Sequence, residues 1–167
     1  LIMLYSYGLT QYNTIAAFGD ENILTREQAA KMFSQFAMNI LCRQPNQSQP
    51  VYKDYDAADN TLKPYITLAY QLGLMRGNPQ SWLFRPQDPI TKQEFTAVLV
   101  RMLLAKYLPE SDTENWSSNY DNVAQKLNLM TRWSTYFIRH DAALMFFRAY
   151  KNQNYVNTDI WYVLQNK

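Results

Sequence analysis

Apolar residues recur every three to four positions in three stretches of the chain, the spacing of one face of a helix. Ala29, Phe33, Phe36, Ala37 and Ile40 form the first stripe. Phe95, Val98, Leu99, Met102 and Leu103 form the second, and Ala142, Met145, Phe146 and Ala149 the third. Shorter stripes precede two of these, at Leu62, Ile66, Ala69 and Leu72 and at Val123, Ala124 and Leu127. Pro64 suits the opening turn of its stripe, where a missing N–H costs nothing. The pattern predicts an all-α chain built from units of helix, loop and helix.

The units repeat. With Thr25 aligned on Thr91, Phe18 and Phe84 both stand seven residues upstream, and Tyr5–Leu9 faces Tyr70–Leu74 with Gly8 opposite Gly73. Tyr120–Met130 matches Tyr65–Met75 at a constant offset of 55, with Asn128 in the place of the glycine. Asn tolerates the left-handed conformation that ends a helix. Phe137–Phe147 then forms a third copy, with Arg139 at the position of Arg26 and Lys92 and with Ile138 where the other copies have Thr. Polar or acidic connections separate the units at 42–50 and 108–115.

Thr25-x-x-Gln28 and Thr91-x-x-Glu94 read as capping boxes, with Leu24 and Ile90 as apolar staples into the core. Capping leaves one feature unexplained. Arg26 and Lys92 sit in the first turn, at the positive end of the helix dipole. Either an anion docks beside them, drawing on free helix N–H groups and on the forked guanidinium, or they are solvated surface cations.

Composition narrows the function. Sixteen Lys and Arg against 14 Asp and Glu leave a net charge of +2 with no basic run, which argues against nucleic acid. No apolar stretch reaches the roughly 18 residues of a membrane span. At 47% hydrophobic and 18% charged, the chain is built to fold. Its thirteen Tyr suit burial, protein contacts or sugar stacking. The opening LIMLYSYGLT has no initiator Met or basic leader and reads as a processed chain or a fragment. Cys42 is the single Cys, so no internal disulfide is expected; it reads as structural, with an exposed thiol as the other option. His140 reads as a solvated or capping residue, because no nucleophile motif accompanies it. No catalytic residue, metal ligand set or cofactor is expected; the acidic Tyr52–Asn60 lacks the Gly and terminal Glu of a calcium loop.

The stretch Gly73–Leu103 resembles the surface-layer homology (SLH) repeat, in Gly73, Gly77, Phe84, Pro86, Ile90, Thr91 and Glu94. The first copy carries Leu24, Thr25 and Arg26, with Gln28 in place of Glu, and Tyr52-x-Asp54 resembles the aromatic-x-Asp that begins a repeat. The resemblance implies three tandem repeats, the third degenerate, as a pseudo-threefold, three-pronged helical bundle. Its units would span 1–41, incomplete at the start, then 51–107 and 115–151, with 152–167 a tail or a short helix capped by Thr158. It implies a non-catalytic, extracellular module that anchors a surface protein by binding an anionic, often pyruvylated, cell-wall polysaccharide between the prongs. The motif arginine that contacts sugar would be Arg26 and Arg139, with Lys92 a departure that lacks the planar fork. Gly8, Gly73 and Gly77 would border the grooves, and Trp82 would stack on a sugar ring or pin its loop. The competing reading is an assembly module of a lattice, filament or attachment structure, working through protein–protein contacts or self-assembly.

Overall fold

The computed structural model describes residues 1–110, 115–131 and 137–152. The short tail helix expected around Thr158 lies outside the described residues. Seven α-helices are present among them and no strand: α1 (Ile2–Ser6), α2 (Ile15–Phe18), α3 (Arg26–Asn39), α4 (Lys63–Gln71), α5 (Lys92–Leu104), α6 (Ser118–Lys126) and α7 (Arg139–Asn152). A 3₁₀ turn at Tyr55–Ala57 leads into α4. No helix among the described residues is long and apolar enough to cross a membrane.

The three strong stripes become α3, α5 and α7, and their apolar faces meet. Phe33, Phe95 and Phe146, one from each helix, form a triangle with ring centroids 4.7, 4.9 and 5.2 Å apart. Leu24 and Ile90, the residues before the caps, are buried as staples should be. The shorter helices pack in a fixed order: α4 on α3, α6 on α5 and α1 on α7. Among the described residues, each long helix therefore packs with a shorter helix that precedes a different long helix, and α1 packs on α7, the last of the described helices.

The three opening helices end in the same way. Gly8, Gly73 and Asn128 take φ of 75°, 69° and 52°. At each, the N–H donates three residues back and the following N–H five residues back: Gly8 to Tyr5 and Leu9 to Leu4, Gly73 to Tyr70 and Leu74 to Ala69, Asn128 to Gln125 and Leu129 to Ala124. This is a Schellman closure, and it drives the next residue (Leu9, Leu74 or Leu129) into the core. Cys42 plays a related part after α3. It takes φ 53°, its side chain is exposed, and Arg43 N–H donates to Ala37 C=O across it. The thiol is thus on the surface rather than in the core, because the helix-ending backbone turns it outward.

Candidate functional site

Both capping boxes are formed. The Thr25 and Thr91 hydroxyls accept from the N–H of Gln28 and Glu94, whose side chains accept from the Thr N–H. The third copy keeps half of the box: Asp141 accepts from Ile138 N–H at 3.3 Å, and Ile138 has no hydroxyl to return the bond.

The N-termini of α3 and α7 are not open to an anion. The first two N–H groups of α3, at Arg26 and Glu27, donate to the carbonyls of Asp88 and Pro86. Those of α7, at Arg139 and His140, donate to Asn22 and Asp20, which are the aligned positions of the first unit. Thr25 pairs with Pro89 in an isolated antiparallel bridge, and Ile138 pairs with Ile23 in the same manner. One unit's helix start is thus stitched to another unit's loop, twice, by the same bonds.

The arginines follow this pattern. Arg26 Nε donates to Phe84 C=O at 2.7 Å, and its Nη1 meets Glu94 Oε1 at 2.7 Å. Arg139 Nη1 donates to Phe18 C=O at 2.6 Å, and its Nη2 reaches Gln28 Oε1 at 3.2 Å. The first-turn arginines Arg26 and Arg139 are therefore explained by contacts with distant parts of the chain. Arg26 is neither a solvated surface cation nor a free anion receptor. Only 6% exposed, it lies over the Phe84 ring and spends its charge on Glu94.

Arg26 closes the inner end of a groove of about 220 Å³. Four arginines line it, Arg26, Arg76, Arg85 and Arg101, against two glutamates, Glu94 and Glu110. Each glutamate bridges one buried and one exposed arginine. Glu94 Oε1 holds Arg26 and Arg85, and Glu110 holds Arg101 at 2.5 Å and Arg76 at 2.7 Å. Arg76 and Arg85 are 47% and 43% exposed, so they present the groove's excess positive charge to solvent.

Burial pushes the Glu94 carboxyl up, but Arg26, the Thr91 N–H and Arg85 together outweigh it and hold it below its ordinary value. For Glu110, burial is again outweighed, by the Tyr120 hydroxyl, Arg101 and Arg76. Burial lowers the Arg26 guanidinium, and Glu94 opposes that shift. The Asp54 carboxylate shapes the rim by accepting from Phe84 N–H and Arg85 N–H, which turns Arg85 into a left-handed conformation at φ 60°. Gly77 lies where a Cβ would stand 2.7 Å from the Tyr52 ring and 2.8 Å from Leu83 C=O, so no other residue fits there without a shift. Trp116 supplies a flat apolar wall.

A second groove, also about 220 Å³, lies beside Arg139. Lys31 and Asp59 line it with Gln11, Tyr12 and Gln28. Here the capping partner is the neutral Gln28 where the first groove has the Glu94 carboxylate. The half-buried Arg139 thus meets two neutral oxygens, those of Phe18 C=O and Gln28 Oε1, where Arg26 meets a carboxylate.

Residues 51–96 match the S-layer homology domain. The SLH family comprises non-catalytic modules associated in general with anchoring at the cell wall and the surface layer. A comparison with curated proteins finds no match. The SLH match runs from the residue before Tyr52 through the start of α5. It contains Asp54, Arg76, Gly77, Arg85 and Glu94, and so most of the first groove's rim. Arg26, Arg139 and the second groove lie outside it.

Of the expected site residues, the structure brings Arg26 and Gly77 into the first groove and Arg139 into the second. Gly8 precedes the Leu9–Thr10 edge of the second groove. Gly73 serves as a helix terminator in open space. Lys92 and Trp82 line neither groove; Trp82 is 49% exposed, at φ 59°, and donates its N–H to Asn78 C=O. Sequence reasoning missed Arg76, Arg85, Arg101, Glu110, Trp116 and Lys31. Arg85 could have been noticed as the central residue of Phe84-x-Pro86. Glu110 sits in a segment read as a linker.

Proposed function

We propose that this chain is a cell-surface anchoring module that binds an anionic, carboxyl-bearing cell-wall polysaccharide in its two arginine grooves. Its three helix-loop-helix units form a pseudo-threefold ring. The observation that carries the reading is the recurrence of one arrangement. A first-turn arginine reaches the Phe carbonyl and the capping side chain of another unit, and a groove opens beside it on both occasions. The ring is further supported by the three identical helix closures and by the packing of α4 on α3, α6 on α5 and α1 on α7.

In the first groove the sugar's carboxylate is held by Arg76 and Arg85, which have exposed guanidinium edges, while Arg26 and Arg101 hold the glutamates in place. Forked charge-assisted contacts suit a planar carboxylate. Trp116 offers a face for a sugar ring. In the second groove Arg139 and Lys31 take the same part, with Tyr12 as the aromatic.

The test is retention on isolated cell-wall polysaccharide. Arg76→Gln with Arg85→Gln, and separately Arg139→Gln, each weaken retention about tenfold or more, the order expected when a charge-assisted contact is lost. High salt weakens it further, because exposed charges are screened over about 8–10 Å. Retention that is unaffected by the three substitutions and by salt overturns the proposal.

A further inference from the structure

Glu110 sits in the first groove as a ligand would. Its Oε1 accepts from Arg101 Nη2 at 2.5 Å and from Tyr120 Oη at 2.8 Å, and its Oε2 accepts from Arg76 Nη2 at 2.7 Å. Each of these donors is also held by contacts that do not involve Glu110. Arg101, buried on α5, gives Nε to Tyr120 Oη at 3.1 Å and Nη1 to Leu74 C=O at 3.4 Å. Its guanidinium lies 4.5 and 4.9 Å from the ring centroids of Tyr107 and Tyr120. Tyr120 is fully buried on α6, and its Oη accepts from Leu108 N–H at 3.1 Å. Arg76 lies over the Tyr107 ring, 4.9 Å from its centroid. Donors fixed in this way form a preorganised seat for a carboxylate.

Glu110 is attached differently from Glu94. Glu94 stands in the first turn of α5 and is committed to the Thr91 capping box. Glu110 belongs to no helix and follows Pro109, whose C=O accepts from Asn119 Nδ2 at 2.8 Å. The chain is pinned as far as Pro109, so turning the Glu110 side chain alone empties the seat. A buried arginine without a counter-ion is costly, so Arg101 demands a carboxylate there, from this chain or from another molecule. We propose that Arg101, Arg76 and Tyr120 form a carboxylate-binding subsite that Glu110 fills in the free chain, and that the carboxylate of a sugar acid takes this seat by displacing Glu110. The proposal rests on the anionic-ligand reading of the first groove. Arg76 and Arg85 meet the arriving carboxylate at the surface, and the seat beyond Arg76 takes it inward beside Trp116. Glu110 is then a built-in competitor, which keeps Arg101 paired in the free chain and lowers affinity by the fraction of time the seat is filled.

Titration calorimetry with sodium glucuronate, a sugar carboxylate, tests this on the unmodified chain, on Glu110→Ala and on Glu110→Ala with Arg101→Gln. Glu110→Ala binds at least about tenfold tighter than the unmodified chain, because the seat no longer has to be vacated. Glu110→Gln keeps the side chain's shape and removes its charge; it moves in the same direction and covers a failure of the Ala variant to fold. The gain disappears when Arg101→Gln is added, where both partners of the buried pair are gone. No gain in either Glu110 variant overturns the proposal. A gain that survives Arg101→Gln overturns it as well, since it then reflects only the removal of a negative charge from the groove. Retention on cell-wall polysaccharide, measured on the same proteins, separates the two readings. Retention of the unmodified chain without a glucuronate gain overturns the subsite alone. A glucuronate gain with no chain retained supports the subsite and counts against the polysaccharide.

Discussion

Arg26 carries its charge where the helix dipole opposes it, and Glu94 offsets that cost from another unit of the chain. The pair is mostly buried, so removing one partner strands the other. Arg26→Ala therefore lowers stability by about 2–3 kcal/mol, the range for losing a hydrogen-bonded charge partner in a protein interior. Arg85→Ala, on the same glutamate but 43% exposed, costs under about 1 kcal/mol. Chemical denaturation of the two variants checks the contrast; equal losses would mean that Arg26 is not the structural partner. The same carboxylates set the acid side of the stability curve. Glu94 and Glu110 are both held below their ordinary value of 4.5 in the folded chain. Between the folded and unfolded values the unfolded chain binds more protons, so stability is fully present above 4.5 and falls as pH drops below it. Glu94→Gln lowers stability at neutral pH and flattens this acid-side fall, measurable as a smaller loss of Tm between neutral and acid buffers.

The starts of α3, α5 and α7 form a graded series: two complete capping boxes and one half box. Thr91→Ala removes an exposed cap hydroxyl and costs about 1 kcal/mol. Ile138→Thr supplies the missing hydroxyl opposite Asp141 and gains a few tenths of a kcal/mol up to about 1, less what the half-buried Ile side chain contributes. Thermal melts of the two variants moving in opposite directions check the series. The boxes were legible in the sequence because both partners lie within four residues. The helix closures at Gly8, Gly73 and Asn128 were legible for the same reason. The grooves were not. Arg26 finds Glu94 from 68 residues away, and Arg139 finds Phe18 from 121. Pairings of that span leave no period in the sequence, so Arg26 read as either an anion-contacting or a solvated cation and Glu110 as part of an acidic linker. The aligned positions of Phe18 and Phe84 were visible, but only the fold shows that their carbonyls receive the two arginines.

At the scale of the whole molecule, the first and last units meet through α1 on α7, through Tyr7 Oη and Tyr150 Oη at 3.3 Å, and through Arg139 reaching Phe18 and Gln28. In the proposed ring of three units, opening any unit loses contacts at two junctions, which favours all-or-none unfolding over the stepwise fraying of an open repeat array. The Arg139 junction also borders the second groove, so the proposed binding and the closure compete for one guanidinium. Gln28→Glu separates them. It places a carboxylate where Gln28 Oε1 now stands, 3.2 Å from Arg139, and reproduces the pairing that Glu94 gives Arg26. The variant gains up to about 1 kcal/mol from a partly exposed ion pair. Its second groove loses one unit of positive charge, so retention on anionic polysaccharide falls while the first groove is untouched. Denaturation midpoint and polysaccharide retention, measured on the same preparation, therefore move in opposite directions. If both rise together, Arg139 serves closure alone and the second groove takes no anion.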